Sequence, residues 1–318
     1  MLSNYVKFLK QTATPCYLIF MQTTVSSQGF EYGVKHFLAP YKGRAIEIIQ
    51  SVLNLSDGDF IEIFKLGSIY INSQRLTEFN LMIAADSQIR VHTKPRRYFC
   101  DYDWSTFIVF ENSDFLILNK PAGVPSHPSV DNIIENSLTQ IEQTVGQKIL
   151  ISHRLDTTTE GLIVYGKTKD FVKSFNQQIQ NKTIEKNYVA LCETNTELPK
   201  KVIHYMEASP RAPKKVSAIY TEGSDFCELE ILEQKKISSD VSLVKINLLT
   251  GRTHQIRAQL SELGAPLCGD FLYGAKTDWT KNKNATHQIA LRSQMIDFFW
   301  NDQRHKFELS TDLYSELN

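Results

Sequence analysis

The chain has 318 residues, 42% of them apolar and 22% charged, with 35 Lys and Arg balanced by 35 Asp and Glu. This length allows two domains, each with its own core, and the composition excludes disorder throughout. Zero net charge excludes attraction to nucleic acid by overall charge, so an RNA partner would require cations gathered on one face.

Five cysteines, at 16, 100, 192, 227 and 268, are odd in number, widely spaced and form no Cys-x-x-Cys pair. They predict neither a disulfide framework nor a zinc site, and the compartment they fit is a reducing cytoplasm. The apolar run from Cys16 to Met21 is too short for a signal-peptide core or for the roughly 20 residues that span a bilayer. No membrane partner is expected.

Residues 1–40 fit no pattern and are read as an N-terminal extension of unassigned role. Over 44–54 the apolar residues Ile46, Ile48, Ile49, Val52 and Leu53 fall mostly on one helical face, and 58–66 is a second short amphipathic stretch. Gly67 to Asn72 reads as a turn into a strand and 87–93 as another strand. Two short helices and a small hairpin, with the phrase LGSIYINSQR, resemble the alpha-L RNA-binding motif over residues 41–97, although the Arg-Leu-Asp that commonly opens its first helix is missing. Lys94 to Asp103, polar and carrying Pro95, is the predicted linker. The basic runs Lys94-Pro95-Arg96-Arg97 and Arg211 with Lys214-Lys215 either touch phosphates or are solvated loops.

From Phe107 the pattern becomes short strands (106–111, 115–119, 184–192, 243–250) interleaved with helices (134–145, 169–180). Hairpins and helices mix without a βαβ rhythm. This predicts an α+β domain over 104–318, with helices flanking a mainly antiparallel sheet.

Four segments carry the chemistry: NKPAGVPSHP (119–128), HRLDTTTEGL (153–162), KNYVALCE (186–193) and TGRTHQIRAQLSELGAPLCGDFLYG (250–274). In this order they resemble the RluA family of RNA pseudouridine synthases over about residues 104–275. The resemblance implies that family's bent mixed sheet. It also implies isomerisation of uridine to pseudouridine in RNA with no cofactor and no metal, by a chain expected to be a monomer; the N-terminal RNA-binding-like module points to ribosomal RNA of the large subunit, with transfer RNA as the alternative. Asp156 takes the place of the catalytic carboxylate, which attacks the sugar or base or removes a sugar proton. Tyr188 takes the place of the tyrosine that packs on the uracil, and Arg154 that of the residue filling the gap left by the extruded base. His153, Lys120, Arg252, His254 and Gln255 are implied as substrate-binding or structural neighbours. A catalytically inactive RNA-binding or ribosome-assembly factor with the same fold is the alternative; intact Asp156, Tyr188 and Arg257 favour the enzyme.

By itself, an Asp followed by three threonines could merely cap a turn. A catalytic carboxylate beneath a flipped base must stay ionised although desolvation favours its neutral form. A fixed cation about 4 Å away opposes this by roughly 4 kcal/mol at an effective dielectric near 20. Arg257 is the candidate cation. In 253–264, Ile256, Leu260 and Leu263 recur on one helical side and His254, Arg257 and Ser261 on another, with Gly264 as the stop. His153 and His254 lack a third ligand for a metal.

Two features resist this reading. Residues 161–168, GLIVYGKT, satisfy the phosphate-loop pattern letter for letter, but Leu162 to Tyr165 is itself an apolar, β-branched strand and cannot cradle a phosphate. The second motif usually continues Thr-Ser-Gly or Thr-Thr-Gly, whereas this chain has Thr159-Glu160-Gly161. Glu160 is expected to face solvent or pair with a local cation rather than enter the cleft, because charges are seldom buried unpaired.

Overall fold

The computed structural model of the protein describes residues 26–28, 33–279, 288–310 and 313. The chain divides into two compact units, Met1–Pro95 and Arg96–Asn318.

The first unit contains β1 (Ser26–Gln28), β2 (Val34–Leu38), β3 (Gly43–Arg44), α1 (Ala45–Leu53), α2 (Asp57–Lys65), β4 (Ile69–Ile71), β5 (Gln74–Arg75), β6 (Met82–Ile83) and β7 (Gln88–His92). The antiparallel sheet runs β1-β2-β7-β4-β5, and β3 pairs with β6. Ile46, Ile48 and Ile49 of α1 and Phe60 and Ile63 of α2 are buried against Phe37, Ile69, Ile89 and Val91 of the sheet. Ser56 caps α2 by accepting from the Asp59 backbone N–H at 3.1 Å. The unit begins earlier than residue 41: β2 pairs with β7 along its whole length, and its Phe37 joins the core. Residues 1–25 of the predicted extension lie outside the described residues.

The second unit opens with a 3-10 turn at Trp104–Phe107, then β8 (Ile108–Glu111), β9 (Phe115–Lys120), α3 (Ser137–Val145), β10 (Leu150–Ile151), β11 (Glu160–Gly166), α4 (Lys169–Gln180) and β12 (Glu185–Glu193). It continues with β13 (Lys201–Met206), β14 (Val216–Ser217), β15 (Asp225–Lys236), β16 (Val241–Leu248), α5 (Gln255–Glu262), β17 (Leu291–Trp300) and β18 (Gln303–Glu308). The sheet order is β14-β13-β15-β16-β12-β17-β11-β9-β8, with β10 on β11 and β18 on β17. Among the described residues its pairings are antiparallel except where β11 meets β17. This is the α+β fold predicted from the mixture of hairpins and helices.

Helices cover both faces of the sheet. On one face Ile141 of α3 and Ile256 and Leu260 of α5 pack with Leu118, Ile163, Tyr188 and Ile246. On the other, Phe171 and Phe175 of α4 pack with Phe115, Ile117, Leu162, Val164 and Phe298. The phosphate-loop look-alike is strand β11, whose residues 161–166 pair with 120–115 of β9. Lys167 reaches Glu111 at 2.5 Å, and Thr168 caps α4 by accepting from the Phe171 N–H. The predicted linker is fastened rather than loose: Arg96 makes a two-pronged contact with buried Asp131, and Arg97 pairs with Glu135 at 2.7 Å.

Candidate active site

Asp156 lies in the loop between β10 and β11, and both of its flanks are tied down by the first motif. Ser126 accepts from the Leu155 N–H at 3.0 Å and donates to the Leu155 carbonyl at 2.7 Å, while the Leu155 side chain enters the core. On the far side the Thr157 carbonyl accepts from the Gly123 N–H at 2.8 Å and from the Lys120 ammonium at 3.4 Å. That ammonium also donates to the carbonyls of Val124 and Pro121, at 2.8 and 2.9 Å. Lys120 is fully buried, and burial pushes it down to about 7 despite the opposing pull of Glu160 and Asp156. It therefore holds the loop and offers nothing to an RNA backbone.

The cation beside Asp156 is Arg257 of α5, with Nη1 3.6 Å from Asp156 Oδ2. Its other edge is occupied by a residue that the sequence reading does not assign. Asp270, also buried, takes Arg257 Nε at 2.7 Å and Nη2 at 2.9 Å, and the guanidinium lies 4.8 Å from the Tyr273 ring centroid. A two-pronged carboxylate fixes the plane of a guanidinium, so Asp270 aims the remaining nitrogen at Asp156. Burial works against the charge on Arg257, but the hydrogen bonds and charge of Asp270, followed by Asp156, raise it above the ordinary arginine value.

His254 completes this side, with Nε2 3.9 Å from Asp156 Oδ2 and Nδ1 3.0 Å from the Tyr273 hydroxyl. Burial lowers its basicity, more than Asp156 restores it, so at neutral pH the ring adds little charge. The residue stands at the N-terminus of α5 with φ +59°, a left-handed conformation costing a non-glycine residue on the order of 1 kcal/mol. The Tyr273 contact helps hold it there.

The other predicted residues separate into cleft and scaffold. Arg154 is exposed and donates to Thr253 Oγ1 at 3.1 Å, joining the second motif to the fourth. Arg252 is also exposed and pairs with Asp225 at 3.1 Å. Gln255 is buried, with its Oε1 accepting from Thr250 Oγ1 and from the Arg252 N–H, and shapes the turn into α5. His153 accepts from the Val164 N–H at 2.9 Å and stacks on Phe175; burial, with the charge of Lys186, pushes it down to about 3. It is a neutral brace of β11. Tyr188 is only 6% exposed within the main core, its hydroxyl bonded to Ser293. Burial and the negative charge of Asp156 hold this phenol above its ordinary range, against the Ser293 bond, so the hydroxyl keeps its proton.

Glu160 does not enter the cleft. It opens β11 where that strand runs parallel to β17, and its carboxylate takes Arg292 Nε at 2.8 Å and Nη2 at 2.7 Å. Gly161 next to it has φ +105°, and a Cβ there would lie 2.3 Å from the Ser293 carbonyl oxygen. Only glycine permits this approach. Glu160→Ser removes a charge-assisted contact to buried Arg292, so we expect a stability loss of about 1.5–3 kcal/mol, with the rate within about threefold of the parent, which is less than about 1 kcal/mol of barrier. Denaturant unfolding and initial rates on one sample check both figures; a tenfold rise in kcat/KM would place Glu160 in the reaction.

The geometry is that of a part-exposed carboxylate beside a buried, fixed guanidinium, on a loop anchored to a mixed sheet. Residues 114–262 match the family described as RNA pseudouridylate synthase. The chain is 34% identical over 224 residues to RNA pseudouridine synthase 6, chloroplastic, of Oryza sativa subsp. japonica, covering 63% of this chain and 46% of that protein. It is 34% identical over 185 residues to the uncharacterized RNA pseudouridine synthase YhcT of Bacillus subtilis (strain 168), covering 57% and 61% respectively. It is 28% identical over 259 residues to the ribosomal large subunit pseudouridine synthase C of Buchnera aphidicola subsp. Baizongia pistaciae, covering 75% and 79%. The chain thus spans about half the length of the plant relatives it matches. A solved human structure, RNA Pseudouridylate Synthase Domain Containing 4, superposes with a TM-score of 0.52 at 18% identity, covering 66% of this chain and 90% of that one. Its likeness supports the fold.

Proposed function

We propose that the chain converts uridine to pseudouridine within folded RNA, with Asp156 as the catalytic residue, and that its target is ribosomal RNA of the large subunit. The observation that carries the reading is the Asp156–Arg257 contact of 3.6 Å inside a domain of this family. A fixed cation beside a part-exposed carboxylate opposes the desolvation that a flipped base would bring. Asp270 and His254 act as positioning residues for this pair, and the Tyr188 phenol lies close enough to feel the Asp156 charge. The likeness to the Buchnera large-subunit synthase supports the choice of RNA. Four cysteines among the described residues are free thiols, which supports a reducing, cytoplasmic setting. We take the protein to act as a monomer. Mapping pseudouridines in total RNA from a strain lacking the protein, against its parent, tests the reading: one or more missing sites in large-subunit RNA are expected, and a loss confined to transfer RNA would redirect it.

The first unit is proposed to hold RNA by its phosphates, on the motif that predicted it. A protein restricted to residues 96–318 should retain chemistry on a short substrate but bind long RNA more weakly and with a shallower salt dependence, since phosphate contacts are the salt-dependent part. Equal affinity and equal slope would show that the first unit does not read RNA.

A further inference from the structure

One basic run predicted from sequence has no part in the site described above. Arg211, Lys214 and Lys215 lie in the loop between β13 and β14, and among the described residues none of them is ion-paired. The Lys214 ammonium donates to the Ser209 carbonyl, and Arg211 and Lys215 are exposed. Three cations within five residues repel one another and gain from an anion.

The loop is tied to the catalytic machinery. The Lys214 backbone N–H donates to the Tyr273 hydroxyl at 2.7 Å, the hydroxyl that also contacts His254 Nδ1 at 3.0 Å. Between the loop and α5 lies a cavity of about 340 Å³ whose wall includes Pro213, Val216, Ala258, Leu272 and the Tyr273 ring. Leu272 is half exposed, and its neighbour Phe271 is 59% exposed, in the turn that presents Asp270 to Arg257. Two carboxylates, Glu207 and Glu262, also line the cavity, so it is not an anion hole. A wall that mixes these apolar and aromatic groups with Ser261, two carboxylates and the two lysines suits a nucleoside, with the base against the Leu272–Tyr273 side and its phosphates at Lys214 and Lys215.

We propose that this cavity is a second nucleotide subsite, which takes an unstacked base flanking the target uridine while Arg211, Lys214 and Lys215 hold its phosphates. The proposal rests on the reading of the protein as an RNA-modifying enzyme and adds where the neighbouring nucleotide goes. Flipping one base leaves its neighbour unstacked, and a wall shared through Tyr273 lets one rigid element receive both.

The test uses the full chain and single-stranded oligouridylates of 3, 7 and 12 nucleotides. The double variant Lys214→Ala/Lys215→Ala keeps the backbone N–H that Tyr273 accepts and removes only ammonium groups. The slope of log affinity against log salt should become shallower by about 0.7 for each phosphate that no longer meets an ammonium, most visibly on the longer oligomers. A 4-thiouridine beside the target position should photocross-link to Leu272 or Tyr273 in the parent and much less in the variant. Unchanged slope and cross-linking in a folded variant overturn the subsite, even if the parent makes pseudouridine. If the parent binds the oligomers with these two signatures but forms no pseudouridine in any RNA, the subsite stands and the proposed activity fails.

Discussion

Asp156→Asn is expected to abolish pseudouridine formation while RNA affinity changes little. The amide has the shape of the carboxylate, and the loop bonds made by Ser126, Gly123 and Lys120 reach the backbone of residues 155 and 157, so they survive the change. What disappears is the negative charge that the chemistry requires, and with it the attraction of Arg257 at 3.6 Å. All three routes open to the family need that charge, so a drop of more than a hundredfold in kcat is expected, about 2.7 kcal/mol or more of barrier. Product measured by mass spectrometry of digested RNA, beside filter binding of the same RNA, checks it. Turnover above a few per cent of the parent rate would remove Asp156 from the chemistry; full binding with no turnover in the parent itself would favour an inactive binding protein.

The second large effect falls on Asp270→Asn. Breaking one side of a buried ion pair costs more than forming the pair gained, typically 3–5 kcal/mol, because the remaining charge stays buried. Here Arg257 and Asp270 are both almost inaccessible, and the two-pronged contact uses Nε and Nη2. The asparagine keeps one acceptor, so a destabilisation near 3 kcal/mol is expected, lowering the melting temperature by roughly 6–12 °C for a domain of this size. The guanidinium is no longer held in plane, and kcat should fall while KM for RNA stays close to the parent value. A stable variant with parent kcat would show that Asp270 aims nothing. Arg257→Lys should fare no better, since an ammonium cannot serve Asp270 through two nitrogens and still face Asp156.

Much of this site is legible in the sequence, but not its supports. The motifs at 153–162 and 250–274 place Asp156, Arg257 and His254 together, and the helical spacing over 253–264 correctly sets Arg257 apart from Ile256 and Leu260. Asp270 escapes notice, because an Asp before a turn has many uses and nothing in the spacing announces a pairing thirteen residues back. The motif leaves Lys120 between an RNA-backbone contact and a structural role; three carbonyls converge on it inside the fold, and a short motif does not show which way a side chain turns. β17 is missed for a related reason. It lies in the middle of the sheet, is buried on both faces and carries Arg292 and Asp297 within, so the alternation that marks a half-buried strand is absent. Sequence pattern starts the small unit too late because β2 pairs with β7 across a separation that no local pattern records.

The position of β17 bears on when the protein becomes competent during its synthesis. In the sheet, β17 stands between β12 and β11, so strands formed from residues 108–166 and from 185–248 meet only through a segment made later. Glu160 and Arg292, which lock that seam, are 132 residues apart. Contacts of such separation form late. Until residues 291–300 have left the ribosome, the two halves of the sheet have no common edge and Tyr188 lacks its Ser293 partner. The proposed activity is therefore expected only once residues 291–300 have been made and have joined the sheet.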